Sequence, residues 1–518
     1  MKRLLLFSIL GILFGASVTA QAPLSAIDWL SESIKNPPTD YEFRLEPEPL
    51  IPPILPEIDM QTEIFGTSVD SIGLLAPSVT GFSANLWGNM SSSEVIDSLN
   101  AFPTRGMPEA KSLFVRILLA QSNPPFAISQ DGEILSARIK RLFQMGALDE
   151  AEALISTIQT LTPPVFPAAF NVAILTDRTT KVCNALKAAP ALSSDLSAKV
   201  YCLARNGDWN AAAITLSLGA SIGAIDPARE EMLIRYLDPE LFEGEPAPTA
   251  PNPLTPMDFT LREAVLLPRE SGLLPLPYLY RDIGATAPLR TRIEASERLV
   301  KAGAMPPNLL FAAYRTGKAA SSGGVWGRKS AVQTLDNALE QGNKAKPIRA
   351  ITRTLKALND AGLLHALADE YGEALAKLRY APEYADISPK VLDLVHLADI
   401  SAIEWEHHGR LNARQKLAQS LVIRSPLEIM PTTDALNVAI IKAFSDISPE
   451  NPTAKRLHLM LDEGNQGKAI LEALELLATG DETDPEDIIT GLFILREAGQ
   501  EASARRIAVQ ILLLPSGG

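Results

Sequence analysis

The sequence predicts an all-α protein: an α-solenoid of irregular helical hairpins, preceded by an N-terminal signal and a proline-rich extended segment. Three observations lead there. Aromatic residues make up only 6% of the 518 positions while alanine and leucine abound, a balance that favours helix over sheet. Prolines gather in two breaks, and the pattern between and after those breaks is helical. A short motif recurs along the chain: an apolar residue, a glycine four positions later and an alanine five after that. The 47 basic and 61 acidic residues give a formal charge of −14, which disfavours nucleic acid as a partner. Two cysteines and five histidines leave no room for zinc ribbons, iron–sulfur clusters or a disulfide framework.

Residues 1–20 read as a secretory signal. Lys2 and Arg3 form its charged start, Leu4 to Phe14 its apolar stretch, and Val18-Thr19-Ala20 its small-residue cleavage site. Cleavage is expected after Ala20, because a cut after Ala22 would set Pro23 beside the scissile bond. No cysteine follows for lipid attachment, and no later run approaches about 18 apolar residues. The expectation is an exported, periplasmic chain without a transmembrane anchor. Loss of Lys2 and Arg3 with the signal takes the charge from −14 to −16. Residues 21–60 form an extended tether: seven prolines fall in residues 37–56, and each lacks a donor and constrains its predecessor.

Residues 61–237 read as an N-terminal helical hairpin domain. Within it, Cys183 sits on a helix ending near Ala189, and Cys202 on a helix over Asp195–Arg205. Pro190 and Ser193-Ser194 turn the chain between them. Antiparallel helices bring the two cysteines to similar heights, and an oxidising compartment permits a disulfide, the alternative being two buried thiols. Residues 238–257 carry the second proline cluster, six in residues 238–256, and are read as a linker between domains. Residues 258–518 are the C-terminal helical-repeat domain. Five helix starts share an oxygen-bearing cap before proline: Asp226-Pro227, Asp238-Pro239, Ser388-Pro389, Ser425-Pro426 and Asp484-Pro485. The last lies in DETDPED, which lacks the ligand spacing and central glycine of an EF-hand.

The recurring motif is Leu142-Gly146-Ala151, Leu203-Gly207-Ala212, Met460-Gly464-Ala469 and Leu495-Gly499-Ala504, with partial copies at Gly303, Gly362 and Gly409. Its physics is that of a helical hairpin: glycine permits a left-handed turn, and a small alanine lets the second helix pack closely. GDWNAA, through Gly207, Trp209 and Ala212, resembles the centre of a tetratricopeptide repeat. The glycine spacings of 61, 96, 59, 47, 55 and 35 residues depart from that family's steady period, and its Leu-Gly pair is missing. The segments ANLWGNMSSSE, LFVRILLAQSNPP, YCLARNGDWNAA and RIEASERLVKAGAMPPNLLFAAYRTG are similar to a family of uncharacterised exported bacterial helical-repeat proteins, some of which carry an antifreeze-type label. That resemblance implies architecture and export. The label finds no threonine ladder or flat repetitive face here.

No GxSxG, SxxK, HExxH, P-loop or GxGxxG motif is present, so no catalytic residue or cofactor is assigned. Glu404 and His408 share a helix face, but two ligands without a third do not make a metal site. His365, His396 and His458 are isolated and read as packing or surface residues. Charge is more informative. Residues 288–360 hold 13 basic and 5 acidic side chains. A helix from Pro347 places Arg349, Arg353 and Lys356 on one face and Ile348, Ile351, Leu355 and Leu358 on the other. Upstream, Trp326, Arg328 and Lys329 fall in a glycine-rich loop. These six residues form the candidate binding surface. The leading expectation is a non-catalytic scaffold or adaptor for another envelope protein, acidic or glycan-associated. The alternative is a peptidoglycan-binding or cell-wall-remodelling factor with a glutamate-type site.

Overall fold

The computed structural model describes residues 68–103, 106–125, 130–269, 272–341, 345–377, 388–400, 411–425, 427 and 434–514. The expected signal, its cleavage site and the tether lie outside them, as do Pro426, Glu404, His408 and Gly409. Every described segment belongs to one compact unit, residues 64–518. It is helical throughout. Among the described residues there is no β-strand, only an isolated parallel bridge between Leu75 and Ala120.

After a single turn at Pro77–Thr80 come α1 (Ser92–Ala101), α2 (Pro108–Leu119), α3 (Glu133–Met145), α4 (Leu148–Thr157), α5 (Phe166–Thr176), α6 (Thr180–Ala188), α7 (Leu196–Arg205), α8 (Trp209–Ser221) and α9 (Pro227–Leu237). Then follow α10 (Pro256–Ala264), α11 (Leu289–Ala302), α12 (Pro307–Arg315), α13 (Val325–Gln341), α14 (Ala345–Asn359), α15 (Leu364–Lys377) and α16 (Ser388–Leu397). The last group is α17 (Ala413–Val422), α18 (Ala435–Ala443), α19 (Pro452–Asp462), α20 (Gln466–Leu476), α21 (Pro485–Glu497) and α22 (Glu501–Leu513). Asp226 and Asp484 cap α9 and α21 with their carboxylates, accepting from Arg229 N at 3.0 Å and Glu486 N at 2.9 Å. Asp238 makes no such bond, and Pro239 opens only a 3-10 turn.

The sequence motif is a helix terminus. Gly146, Gly207, Gly464 and Gly499 end α3, α7, α19 and α21 with φ of 84°, 82°, 80° and 79°. In each case the residue after glycine donates to the carbonyl of the motif's apolar residue: Ala147 to Leu142 at 3.0 Å, Asp208 to Leu203 at 2.9 Å, Asn465 to Met460 at 2.8 Å and Gln500 to Leu495 at 2.8 Å. That bond satisfies a carbonyl the helix leaves open, and a left-handed residue is needed to make it. The motif alanines Ala151, Ala212, Ala469 and Ala504 are all fully buried. Gly303 and Gly362 end α11 and the turn after α14 with the same bond.

Cys183 on α6 and Cys202 on α7 form a disulfide, their Cα atoms 5.1 Å apart. Both are buried. The bond closes a loop 19 residues in span, for which chain-entropy arguments give about 3 kcal/mol. Replacing both cysteines by alanine is expected to lower unfolding free energy by about 2–4 kcal/mol. Equal urea midpoints for the two proteins would refute this.

Residues 238–257, read as a linker, lie inside the one compact unit. Arg262 donates to the Pro248 carbonyl at 2.8 Å, and Arg229 reaches across to Asp258 at 2.8 Å. Arginine side chains thus supply donors where proline supplies none. Some helices also meet elements far from them in the chain. The α2 helix packs against α22 and α11, and α1 against α20. Gly467 N donates to the Leu86 carbonyl at 2.8 Å, Glu109 N to Gln510 Oε1 at 3.0 Å, and Gln466 Oε1 accepts from Ser83 N at 2.7 Å. Gly467 allows this approach: a Cβ there would stand 2.6 Å from the buried Trp87 ring.

Candidate functional site

The basic block divides sharply on folding. The segment read as a glycine-rich loop begins α13, because Val325, Val332 and Leu335 are buried and hold it in helix. Lys329 has no solvent exposure. Its ammonium donates to the carbonyls of Tyr314 and, at 2.6 Å, Thr316, capping the end of α12. Burial pushes its pKa down. Arg328 makes a two-pronged bond to the buried Glu297 at 2.7 and 2.6 Å, and Tyr314 donates to the same carboxylate at 2.6 Å. Trp326 is half-buried and packs on the core. These three residues are therefore structural and leave the candidate surface. Arg315 is likewise committed, to Asp336 and Glu370.

The α14 cations behave differently. Arg349, Arg353 and Lys356 are exposed and form no ion pair or side-chain hydrogen bond with any described residue. The opposite face divides in two. Ile351 and Leu358 are buried with Ala350 and Thr354, and Thr354 donates to the Ala331 carbonyl of α13 at 3.1 Å. Ile348 and Leu355 stay half-buried at the edge. They floor a groove of about 700 Å³ between α14 and α16, with Leu394 and Leu513. Arg349, Arg353 and Lys356 line one wall and Lys390 stands on the other.

Beside the groove lies a second recess of about 830 Å³, where the ends of α2, α11, α15 and α22 converge. The two share Asn359 and Leu364. Lys111, on α2, donates to the Lys301 carbonyl at 2.8 Å and so ties α2 to the end of α11; burial lowers its ammonium to about 8. His365 faces it. Burial, then the Lys111 charge, pushes the imidazole down to about 4, opposed by a hydrogen bond to the Val300 backbone. One turn along α15, Asp369 keeps a solvent-exposed face while protein walls it on other sides. That enclosure, with Glu109 nearby, raises its carboxyl to about 7, and Arg506 opposes the shift. Glu109 itself is buried and accepts from Arg116 at 3.1 Å and Arg506 at 3.0 Å.

Neither Lys111, Glu109 nor Asp369 stood out in the sequence, and His365 read as isolated. They come from helices far apart in the chain, so no local spacing marks them. His458 is not isolated either: its ring pairs with Glu497 at 2.7 Å, which raises its pKa. Among the described residues no cluster of three or more His, Cys, Asp or Glu side chains could hold a metal ion.

His365 carries a pH signature. Its folded pKa lies below the unfolded value, so neutral imidazole is favoured in the native state. Its contribution is fully present above pH ~6.5 and lost as pH falls towards 4. The stability advantage of wild type over His365→Gln, from urea titrations at pH 7, 5.5 and 4.5, should shrink in that order. A constant difference would refute it.

No family model, curated protein or solved structure matches the chain.

Proposed function

We propose that this chain is a non-catalytic, exported adaptor, and that the cationic face of α14 is its contact surface for another envelope protein. The observation that carries the reading is the contrast within one basic block. Arg328, Lys329 and Arg315 are bound to carboxylates or carbonyls, whereas Arg349, Arg353 and Lys356 stand uncommitted beside an aliphatic groove. Uncommitted charge flanking apolar surface is what steers and then holds a partner of opposite sign. Helical hairpins of the tetratricopeptide-like kind supply the rigid backing. The Cys183–Cys202 bond accords with an oxidising compartment. Among the described residues no helix is long and apolar enough to cross a membrane.

The test is a cross-linking pull-down from an envelope fraction, comparing wild type with Arg349→Glu/Arg353→Glu. A partner whose recovery falls at least tenfold in the variant supports the reading. A partner recovered equally by both places the interface elsewhere.

One observation favours the cell-wall alternative. Glu150 on α4 has a carboxyl raised by burial to about 7, with Oε2 unpartnered, as an acid catalyst requires. It lines neither cavity described above, so the adaptor reading is preferred. Muropeptide release abolished by Glu150→Gln would reverse that order.

A further inference from the structure

We infer that the groove between α14 and α16 receives an extended peptide segment with carboxylates at alternate positions and aliphatic residues between them. We infer too that the segment continues into the adjoining recess. This rests on the adaptor reading and specifies the chemistry of its partner.

Spacing is the first argument. Arg349 and Arg353 are four residues apart on a helix, a rise of about 6 Å. Side chains on one face of an extended chain repeat every ~6.6 Å. Acidic residues at every second position therefore meet Arg349 and Arg353 in turn. The residues between them turn towards Ile348, Leu355 and Leu394 on the floor.

Charge is the second. The groove carries Arg349, Arg353, Lys356 and Lys390 against Asp360 and Asp393. Past Asn359 and Leu364, the recess adds the formal charges of Lys301, Lys111 and Arg298, the last two bonded to the Lys301 and Leu274 carbonyls, against Asp481 and Glu482. Both halves of the track thus have an excess of cations, which selects an acidic occupant in a chain that is itself acidic.

Lining chemistry is the third. Among the described residues, no Trp, Tyr or Phe borders either cavity. Sugar rings are held by stacking on aromatic faces, so an anionic glycan lacks its usual platform here. An aliphatic floor suits leucine, valine and proline side chains.

The experiment is fluorescence anisotropy with the full chain and fluorescein-labelled nonapeptides. One alternates glutamate with leucine or proline, one replaces each glutamate by lysine, and one keeps the first composition with its glutamates four apart. The alternating glutamate peptide should bind at least tenfold tighter than either control and weaken with added salt. Arg349→Glu/Arg353→Glu and Leu355→Asp should each lose at least tenfold. Lys301→Glu should weaken only a peptide lengthened by further Glu-Leu pairs. Circular dichroism confirms that each variant is folded.

Absence of binding by wild type, equal binding by Arg349→Glu/Arg353→Glu, or preference for the four-apart peptide overturns the inference. So does displacement by an anionic oligosaccharide when the peptide itself does not bind. A pull-down partner lost in the charge-reversed variant while the peptide fails to bind would leave the adaptor reading standing and remove this one alone.

Discussion

Alanine at Glu109 is expected to cost the protein about 3–5 kcal/mol. Glu109 is buried at the start of α2 and is shared by Arg116 and Arg506, at 3.1 and 3.0 Å. Arg116 donates also to Ser503 at 2.5 Å, and Arg506 lies 3.6 Å from Asp399. Removing the carboxylate leaves two guanidinium groups close together in a site where water screens them poorly. The loss should exceed the worth of the ion pair itself, because the remaining charges are stranded. A second variant separates these effects. Replacing all three at once, Glu109→Leu with Arg116→Met and Arg506→Met, should recover part of the loss, since both guanidinium groups go with the carboxylate and only Asp399, 3.6 Å from Arg506, loses a partner. Urea denaturation of the three proteins checks this. A loss under 1 kcal/mol for the single variant would mean that α2 and α22 are held by their apolar faces alone.

Arg138→Leu should cost about 3 kcal/mol or more. Arg138 on α3 is buried, and its guanidinium donates to three backbone carbonyls: Leu118 at 2.7 Å, Ile72 at 2.7 Å and Ala120 at 2.8 Å. These carbonyls belong to the end of α2 and to the strand-like segment that bridges to it at Leu75. Each of these carbonyls left as a buried orphan costs about 1–3 kcal/mol. Burial lowers the guanidinium to about 10, opposed by Asp70. Asp70 in turn accepts from Gly132 N and Leu135 N at 3.0 and 2.7 Å, capping α3. Arg138→Lys should restore only part of the stability, because a single nitrogen cannot span carbonyls that are spaced for the three nitrogens of a planar guanidinium. Full stability in Arg138→Lys would refute the forked role.

The helical class and the hairpin turns were legible because both are local. Leu203, Gly207 and Ala212 lie within ten residues, and their roles are set by backbone geometry that the residue types themselves dictate. The pairing of Cys183 with Cys202 was legible for the same reason: one short turn separates their helices. Charge was legible only in bulk. The excess of cations in residues 288–360 is plain, but whether a given cation is free depends on acids it meets in space. Lys329 and Arg353 look alike in the sequence. One is buried against the end of α12, and the other faces a groove. The glycines before Trp326 suggested a loop, yet the apolar face of α13 outweighed them. The titratable set of Glu109, Lys111, His365 and Asp369 was invisible, because α2, α15 and α22 converge there from across more than half the chain.

That convergence bears on the order in which the molecule can be made. In a row of stacked repeats, each unit finds its packing surface as soon as its neighbour has been synthesised, so folding can follow the growing chain. Here α2 gains its full set of contacts only when α22 exists, since Glu109 waits for Arg506 and Gln510. A ribosome making this protein would release the first helices long before their final partners emerge. Until then their apolar faces stay open, available to a holding chaperone and compatible with passage through a narrow pore. The fold locks last at its own beginning, and its refolding should be slower than that of an open helical row of equal length.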